Sequence, residues 1–381
     1  VLVSLEKRAL SGPVAQAIRE AWKGKQAELS KLDDVNRQKH GGRAPDFGDP
    51  RAALAGLSGT IDGFINLLQS AASGRIVVEP QGDRLEVNVE LDAEEQGAAA
   101  DLVAALAVGD AEPITALPVS TPIVVLNRTT AATRQASAKS MNEGVAGLFG
   151  DRLTVPDREK VKAVLEKLSE GRGDWETYGV YLDQGKGGLV YRALVSDPKS
   201  FDAGAKDLFK LLTVRALAEP LRQFAGEMTV KQSTAQVPGL PGTTQRALVQ
   251  LKPTAMRAAS DKTGKVSTET QNVELLWAHA NGRVLGAASF DAVPVLGALF
   301  GAEAEPKATH KSDAKVSQAL GRVKDAAFVV LVQPLRLGGG TVLAPSSPLV
   351  VSFGKRGTTG FLRAEADQAG LEMVLKSVAL G

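Results

Sequence analysis

Four large aromatic side chains with polar groups stand close together in a chain that has few of them. The sequence has three Trp and three Tyr among 381 residues. Four of these six are Trp175, Tyr178, Tyr181 and Tyr191. Such side chains combine a large apolar surface with a hydrogen-bonding group, which suits recognition of a ligand or a protein partner. Aromatic packing between neighbouring strands is the simpler alternative. These four residues are the candidate binding site.

A second group of residues has the spacing of a nucleophilic enzyme. Ser196 and Lys199 match S-x-x-K, and residues 262–264 match the K-T-G of serine β-lactamases and penicillin-binding enzymes. However, S-x-x-K recurs at three other places in the chain, and no S-D-N triplet lies between the two motifs. A serine hydrolase using Ser196 and Lys199 is therefore the least favoured alternative.

The sequence lacks the residues and motifs on which metal, thiol and phosphate chemistry usually depend. The chain has no cysteine, which excludes disulfides, thiolate nucleophiles and Cys-ligated zinc. Its three histidines, His40, His279 and His310, are too far apart in sequence for an H-E-x-x-H motif. Neither a G-x-S-x-G elbow nor a phosphate-binding loop is present. The sequence predicts no enzyme, no metal and no cofactor.

Charge and hydropathy narrow the range of partners. The chain has 45 basic and 43 acidic residues, without the basic excess of a nucleic-acid-binding protein. No apolar run approaches the roughly 18 residues that a membrane helix needs. The first residue is Val1, so we considered a signal segment or a lipid anchor upstream of it. The prediction is no nucleic acid and no transmembrane span.

The elements that would hold these side chains form an internal repeat. Four times the chain gives a strand, a tight turn, a second strand, an Asp and then a helix. In each copy a turn glycine lies nine or ten residues before the Asp, and glycine supplies the positive φ of tight hairpins. The glycines are Gly82, Gly188, Gly282 and Gly357. The aspartates are Asp92, Asp197, Asp291 and Asp367, and we interpret all four as structural N-caps of helices.

Two apolar runs, at residues 122–127 and 327–333, indicate central strands covered on both faces. Together with the repeat they predict an α+β fold. In that fold, antiparallel sheets are built from four β-β-α units (hairpin, Asp cap, helix) with helices packed on one face. An N-terminal helical extension precedes them.

The N-terminal extension carries its own hypothesis. Residues 11–36 have the apolar spacing of an amphipathic helix, and a polar linker follows. We divide the chain into 1–48, 49–172 and 173–381, of which the last two could form one continuous domain. The amphipathic helix packs on its own domain in the simpler interpretation. In the alternative, it docks onto a partner in a structural or assembly role.

The hairpin–Asp–helix pattern, Leu117-Pro118 before a strand, and residues 277–290 (WAHANGRVLGAASF) resemble uncharacterised exported bacterial envelope proteins, often predicted lipoproteins. The resemblance covers roughly residues 50–381. It implies a location in the periplasm or at the outer membrane, with the cytoplasm as the alternative. It carries no catalytic residue. The leading hypothesis is a non-enzymatic envelope protein that binds an apolar ligand or a protein partner.

Overall fold

One antiparallel sheet dominates the molecule. The computed structural model describes residues 1–39, 50–82, 84–183, 185–225, 227–240, 242–252, 270–305, 308–333 and 348–367. Within these residues the sheet has thirteen strands. They are β1 Leu2–Glu6, β2 Ala71–Gln81, β3 Arg84–Ala93, β4 Ile123–Arg128, β5 Arg172–Asp183, β6 Lys186–Val195, β7 Glu227–Ala235, β8 Thr244–Lys252, β9 Gln271–Ala280, β10 Arg283–Ser289, β11 Ala326–Val332, β12 Leu349–Arg356 and β13 Thr359–Asp367.

Helices lie between the hairpins and before the first of them. They are α1 Ala15–Lys39, α2 Pro50–Gln69, α3 Ala98–Ala105, α4 Glu112–Thr115, α5 Ala131–Phe149, α6 Val155–Gly171, α7 Pro198–Lys210, α8 Arg215–Ala225, α9 Ala292–Ala304 and α10 Ala314–Gly321. Threonine side chains cap the N-termini of two helices. The Thr130 hydroxyl accepts from the Thr133 N–H at the start of α5, and the Thr154 hydroxyl accepts from the Asp157 N–H at the start of α6. The α+β class is confirmed.

From either edge of the sheet, a hairpin (β2–β3 or β9–β10) is followed by three strands in descending order (β13-β12-β11 or β6-β5-β4). The full strand order runs β1-β2-β3-β13-β12-β11-β4-β5-β6-β10-β9-β8-β7. We call β2, β3, β13, β12 and β11 half A, and β4, β5, β6, β10 and β9 half B. The halves meet at β11 and β4. Half A combines the early hairpin β2–β3 with the late strands β11–β13, and half B combines β4–β6 with the later hairpin β9–β10. Strands from residues 49–172 and 173–381 are therefore interleaved in one sheet.

Helices cover both faces of the sheet, so the prediction of helices on one face is wrong. The neighbours Leu276 and Trp277 on β9 point to opposite faces. Leu276 packs with Leu296 of α9, whereas Trp277 packs with Phe201 of α7. The physical reason is that the central strands are apolar at successive positions, as in β4, where Val124 is buried. Both sides of such strands must be shielded from water.

The four aspartates do not share one role. Asp197 is the N-cap of α7 and its carboxylate accepts from the Lys199 N–H. Asp291 precedes α9 without a capping bond from its side chain. Asp92 lies inside β3 and caps no helix, so its interpretation as an N-cap is wrong. The residue at the start of α3 is Gly97. Asp367 ends β13, and the helix predicted after it falls outside the described residues.

Asp92 instead joins three strands, which yields a pH prediction. Its carboxylate accepts from the hydroxyls of Ser73 on β2 and Thr359 on β13, each at 2.5 Å, and these two bonds lower its pKa. We expect Asp92→Ala to lower the free energy of unfolding by about 1–3 kcal/mol at pH 7. Because the pKa is lower in the folded state, the ionised carboxylate stabilises the fold above the unfolded value of about 3.9. This stabilisation is lost as the pH falls through the folded pKa. Urea unfolding at pH 7 and pH 3 should show the gap between variant and wild type shrinking in acid; an unchanged gap would contradict this role.

Candidate functional site

A cleft of about 680 Å³ opens on half B, on the face that carries α7. Its floor is formed by β4, β5, β6, β10 and β9, and its walls by α5, α6 and α7. The floor has one row of directly opposed residues: Val125, Tyr178, Tyr191, Gly286 and Trp277. Pairing of opposed residues puts all their side chains on the same face. The strand register therefore builds the floor.

Large apolar side chains are exposed inside this cleft. On the floor, Leu189 is 60% exposed and Tyr178 is 44% exposed. On the walls, Met141 of α5 and Leu208 of α7 are also exposed. A contiguous exposed apolar patch is uncommon on a soluble protein and marks an interaction site. The cleft can therefore bind an apolar group by removing these side chains from water.

The structure brings together two of the four predicted aromatic residues. Tyr178 and Tyr191 lie directly opposite each other in the cleft, with ring centroids 5.1 Å apart. Trp175 and Tyr181 lie on the other face of β5, as alternation along a strand requires. There Tyr181 is part of the main core, and Trp175 stacks under the Arg192 guanidinium, 4.8 Å from the ring centroid.

Polar groups gather at one end of the cleft around Glu176. Its carboxylate accepts from the Tyr191 hydroxyl at 3.1 Å and from Arg172 Nη1 at 2.9 Å. Burial raises the pKa of the Tyr191 phenol well above its usual value, and Glu176 adds to the rise. The pKa of Tyr178 is raised by the same two causes, burial first. Both phenols therefore stay protonated at neutral pH and serve as hydrogen-bond donors.

Asp202 of α7 was not among the residues predicted from the sequence. Its Oδ1 accepts from Trp277 Nε1 at 3.0 Å and lies 2.8 Å from His279 Nε2. This carboxylate ties α7 to β9 and holds Trp277, which lines the cleft. The shared face of Trp277 and His279 was visible in the sequence, but nothing there pointed to a carboxylate on a distant helix.

Ser196 lies just before α7, and Lys199 lies in the first turn of α7. The Ser196 hydroxyl lies 2.6 Å from the Glu170 carbonyl oxygen and 2.8 Å from that of Arg172. It thus joins the end of α6 to the start of α7. Residues 262–264 lie outside the described part. In the described part, no three His, Cys, Asp or Glu side chains are grouped so that they could hold a metal ion.

The opposite face holds a charged cleft of about 570 Å³. Arg192 on β6 is 1% exposed there, and its Nε lies 2.5 Å from Glu303 Oε1 of α9. Arg283 on β10 lies 3.1 Å from the other oxygen of Glu303. One carboxylate therefore balances two guanidinium groups. This ion-pair cluster joins α9 to β6 and β10.

No protein-family model matches this chain, and comparisons with curated proteins and with solved structures found no match. None of the described helices combines the length and the apolar character needed to cross a membrane. The chemistry of the cleft is therefore the basis of the functional conclusion.

Proposed function

We propose that this protein is a non-enzymatic binding protein that holds an apolar ligand in the cleft of half B. The observation that carries the proposal is the exposure of Leu189 and Tyr178 on the floor of a cleft that three helices also line. Burying this floor under a ligand gains about 25 cal/mol for each Å² of apolar surface removed from water.

The lining indicates the kind of ligand. The cleft lies within the roughly 300–1,000 Å³ of small-molecule sites, and most of its lining is apolar. The Tyr178 hydroxyl and Arg172 stand together at one end, beside the Glu176 carboxylate that accepts from Arg172. An apolar chain with one polar end, such as a fatty acyl chain, fits this arrangement, because the chain covers the floor while the polar end meets donors.

A charge on the floor tests the proposal. We expect Leu189→Asp to weaken binding of dansyl-labelled undecanoic acid at least about tenfold, since a carboxylate beside an apolar chain costs more than about 1.4 kcal/mol. Leu189 is largely exposed, so the fold should tolerate the change. Fluorescence titration of wild type and variant measures the effect.

Leu57→Asp is the matched control, because Leu57 is an exposed leucine on α2 outside the cleft. It should bind the probe like wild type. Equal loss in both variants, or no saturable binding by wild type, would contradict the proposal.

A second candidate function is docking of a protein partner on the N-terminal helices. Here α1 and α2 pair through Ser58, whose hydroxyl accepts from Gln26 Nε2 at 2.6 Å. Leu57 and Phe64 remain exposed on α2. We propose that these two residues contact the partner. A partner that co-purifies equally with wild type and with the Leu57→Asp/Phe64→Asp double variant would exclude this surface.

We also propose that the four hairpins are copies of one β-β-α unit and that the protein works in the bacterial envelope. The matching arrangement of five strands, β2 to β6 and β9 to β13, in the two halves of the sheet supports the repeat. The resemblance in sequence pattern supports the location. Fractionation of cells that express the natural gene tests the location, and recovery in the cytoplasm would contradict it.

A further inference from the structure

Among the described residues that line the cleft of half B, Arg172 has the one charged side chain. It is the first residue of β5, directly after α6, and its side chain is 28% exposed. Its Nε donates to the Leu168 carbonyl oxygen at 3.2 Å, and its Nη1 lies 2.9 Å from Glu176 Oε2. The guanidinium therefore faces the cleft with its counter-charge already beside it.

Both oxygens of the Glu176 carboxylate are occupied by donors of the protein. Oε1 accepts from Asn127 Nδ2 at 3.3 Å and from Arg172 Nη1 at 3.2 Å. Oε2 accepts from the Tyr191 hydroxyl at 3.1 Å and from the same Arg172 nitrogen. The Glu176 side chain is only 10% exposed. Glu176 thus places a negative charge at the polar end of the cleft but offers little free acceptor capacity to an ammonium group of a ligand.

The charges of Arg172 and Glu176 cancel at this end of the cleft, which decides what kind of polar group suits it. A ligand carboxylate beside Arg172 also meets the Glu176 carboxylate, and like charges at such range repel. It loses its hydration without gaining a net counter-charge, which is costly for an ion. An uncharged carbonyl oxygen loses far less hydration and still accepts from Arg172 or from the Tyr178 hydroxyl, which stands beside them.

We infer, on the basis of the proposed ligand binding, that the cleft selects acyl chains with an uncharged polar end, such as an ester, over free fatty acids. Glu176 sets this selection by balancing Arg172. Free acids still bind through their chains, but more weakly. Without Glu176, Arg172 becomes an uncompensated guanidinium at the end of an apolar cleft, and a guanidinium in that position pairs well with a carboxylate.

Competition between two ligands of equal chain length tests the role of Glu176. Dodecanoic acid and methyl dodecanoate each displace dansyl-labelled undecanoic acid, and fluorescence gives their dissociation constants after correction for the probe affinity of each variant. The ratio of the two constants removes the contribution of the shared chain. Wild type should bind the ester more tightly. We expect Glu176→Gln to shift the ratio at least about tenfold toward the acid, because the amide keeps the side-chain shape and removes the charge.

Three further variants separate the charge of Glu176 from other effects. Glu170→Gln makes the same change at an exposed residue of α6 outside the described cleft lining, and it should keep the wild-type ratio. Arg172→Gln/Glu176→Gln removes both charges and should favour the ester as wild type does. Arg172→Gln leaves Glu176 without its counter-charge and should move the ratio at least about tenfold toward the ester, so it serves as the test if Glu176→Gln does not fold.

The outcomes distinguish the role of Glu176 from ligand binding itself. If both ligands displace the probe but Glu176→Gln leaves the ratio unchanged, or shifts it no more than Glu170→Gln does, the role of Glu176 is overturned and binding in the cleft stands. Tighter binding of the acid than of the ester by wild type would also overturn the selection. Failure of both ligands to displace the probe from wild type would contradict the proposed function, and the selection with it.

Discussion

Replacing Glu303 with alanine is expected to lower the free energy of unfolding by about 3–5 kcal/mol. Glu303 is the shared partner of Arg192 and Arg283 beneath α9. Without it, Arg192 keeps the Pro113 carbonyl oxygen and the Trp175 ring as neighbours but loses its counter-charge in a buried position. An unpaired buried charge is costly because the protein interior solvates it poorly. Urea unfolding at pH 7 measures the loss.

Two variants show whether the cost comes from the unpaired charge. Glu305→Ala changes an exposed carboxylate after the same helix and should alter stability by less than about 0.5 kcal/mol. The double variant Arg192→Met/Glu303→Met removes both buried charges and should recover most of the lost stability. A Glu303→Ala protein as stable as wild type would show that the ion-pair cluster does not hold α9.

Replacing Gly171 with alanine is expected to cost about 3 kcal/mol, the upper part of the range for overpacking. Gly171 ends α6, and its carbonyl oxygen accepts from the Ser196 N–H at 3.0 Å. A Cβ at this position would stand 2.4 Å from the backbone nitrogen of Phe201. The two backbones must then separate, so α7 moves relative to α6 and the cleft wall shifts. Chemical denaturation measures the stability, and probe titration should show weaker binding.

Gly147→Ala is the matched control on α5. Apart from its chain neighbours and the backbone of its own helix, no atom lies within 4 Å of the position that its Cβ would take. Alanine in a helix interior should stabilise by up to about 1 kcal/mol relative to glycine. If both variants behave alike, close contact between α6 and α7 is not what fixes the cleft wall.

The strands were predictable because their signals are local. Alternating or continuous apolar runs separated by turn glycines located the hairpins, but in the β5–β6 hairpin Gly185 has the positive φ, whereas Gly188, the predicted turn glycine, lies within β6. Asn281 and Gly282 both have positive φ and form the β9–β10 turn, as the Asn-Gly pair indicates. The strand order was not predictable, because β3 pairs with β13 across more than 250 positions of sequence. The continuous apolar runs of β4 and β11 indicated cover on both faces, but no local pattern specifies which helices supply it.

The candidate site was predictable only in part. Clustering of Trp and Tyr pointed to the β5–β6 hairpin, which forms part of the cleft floor, and alternation along β5 places Tyr178 and Trp175 on opposite faces. The partners of the tyrosines could not be foreseen, since α5 and α7 supply the walls from distant sequence. The N-cap interpretation of Asp92 was wrong for the same reason. Its partner Thr359 is distant in sequence and lies on a strand that only the fold brings close.

Contact between an acyl chain and Trp277 tests the central claim most directly. Trp277 lines the cleft, whereas Trp22 lies on α1. Two single-tryptophan proteins are compared: one keeps Trp277, with Trp22→Phe and Trp175→Phe, and the other keeps Trp22, with Trp175→Phe and Trp277→Phe. Bromine on a fatty acid chain quenches tryptophan fluorescence only at close range. Saturable quenching of Trp277 with unchanged emission from Trp22 is the predicted result. Equal quenching of both residues, or quenching of neither, would contradict ligand binding in the cleft.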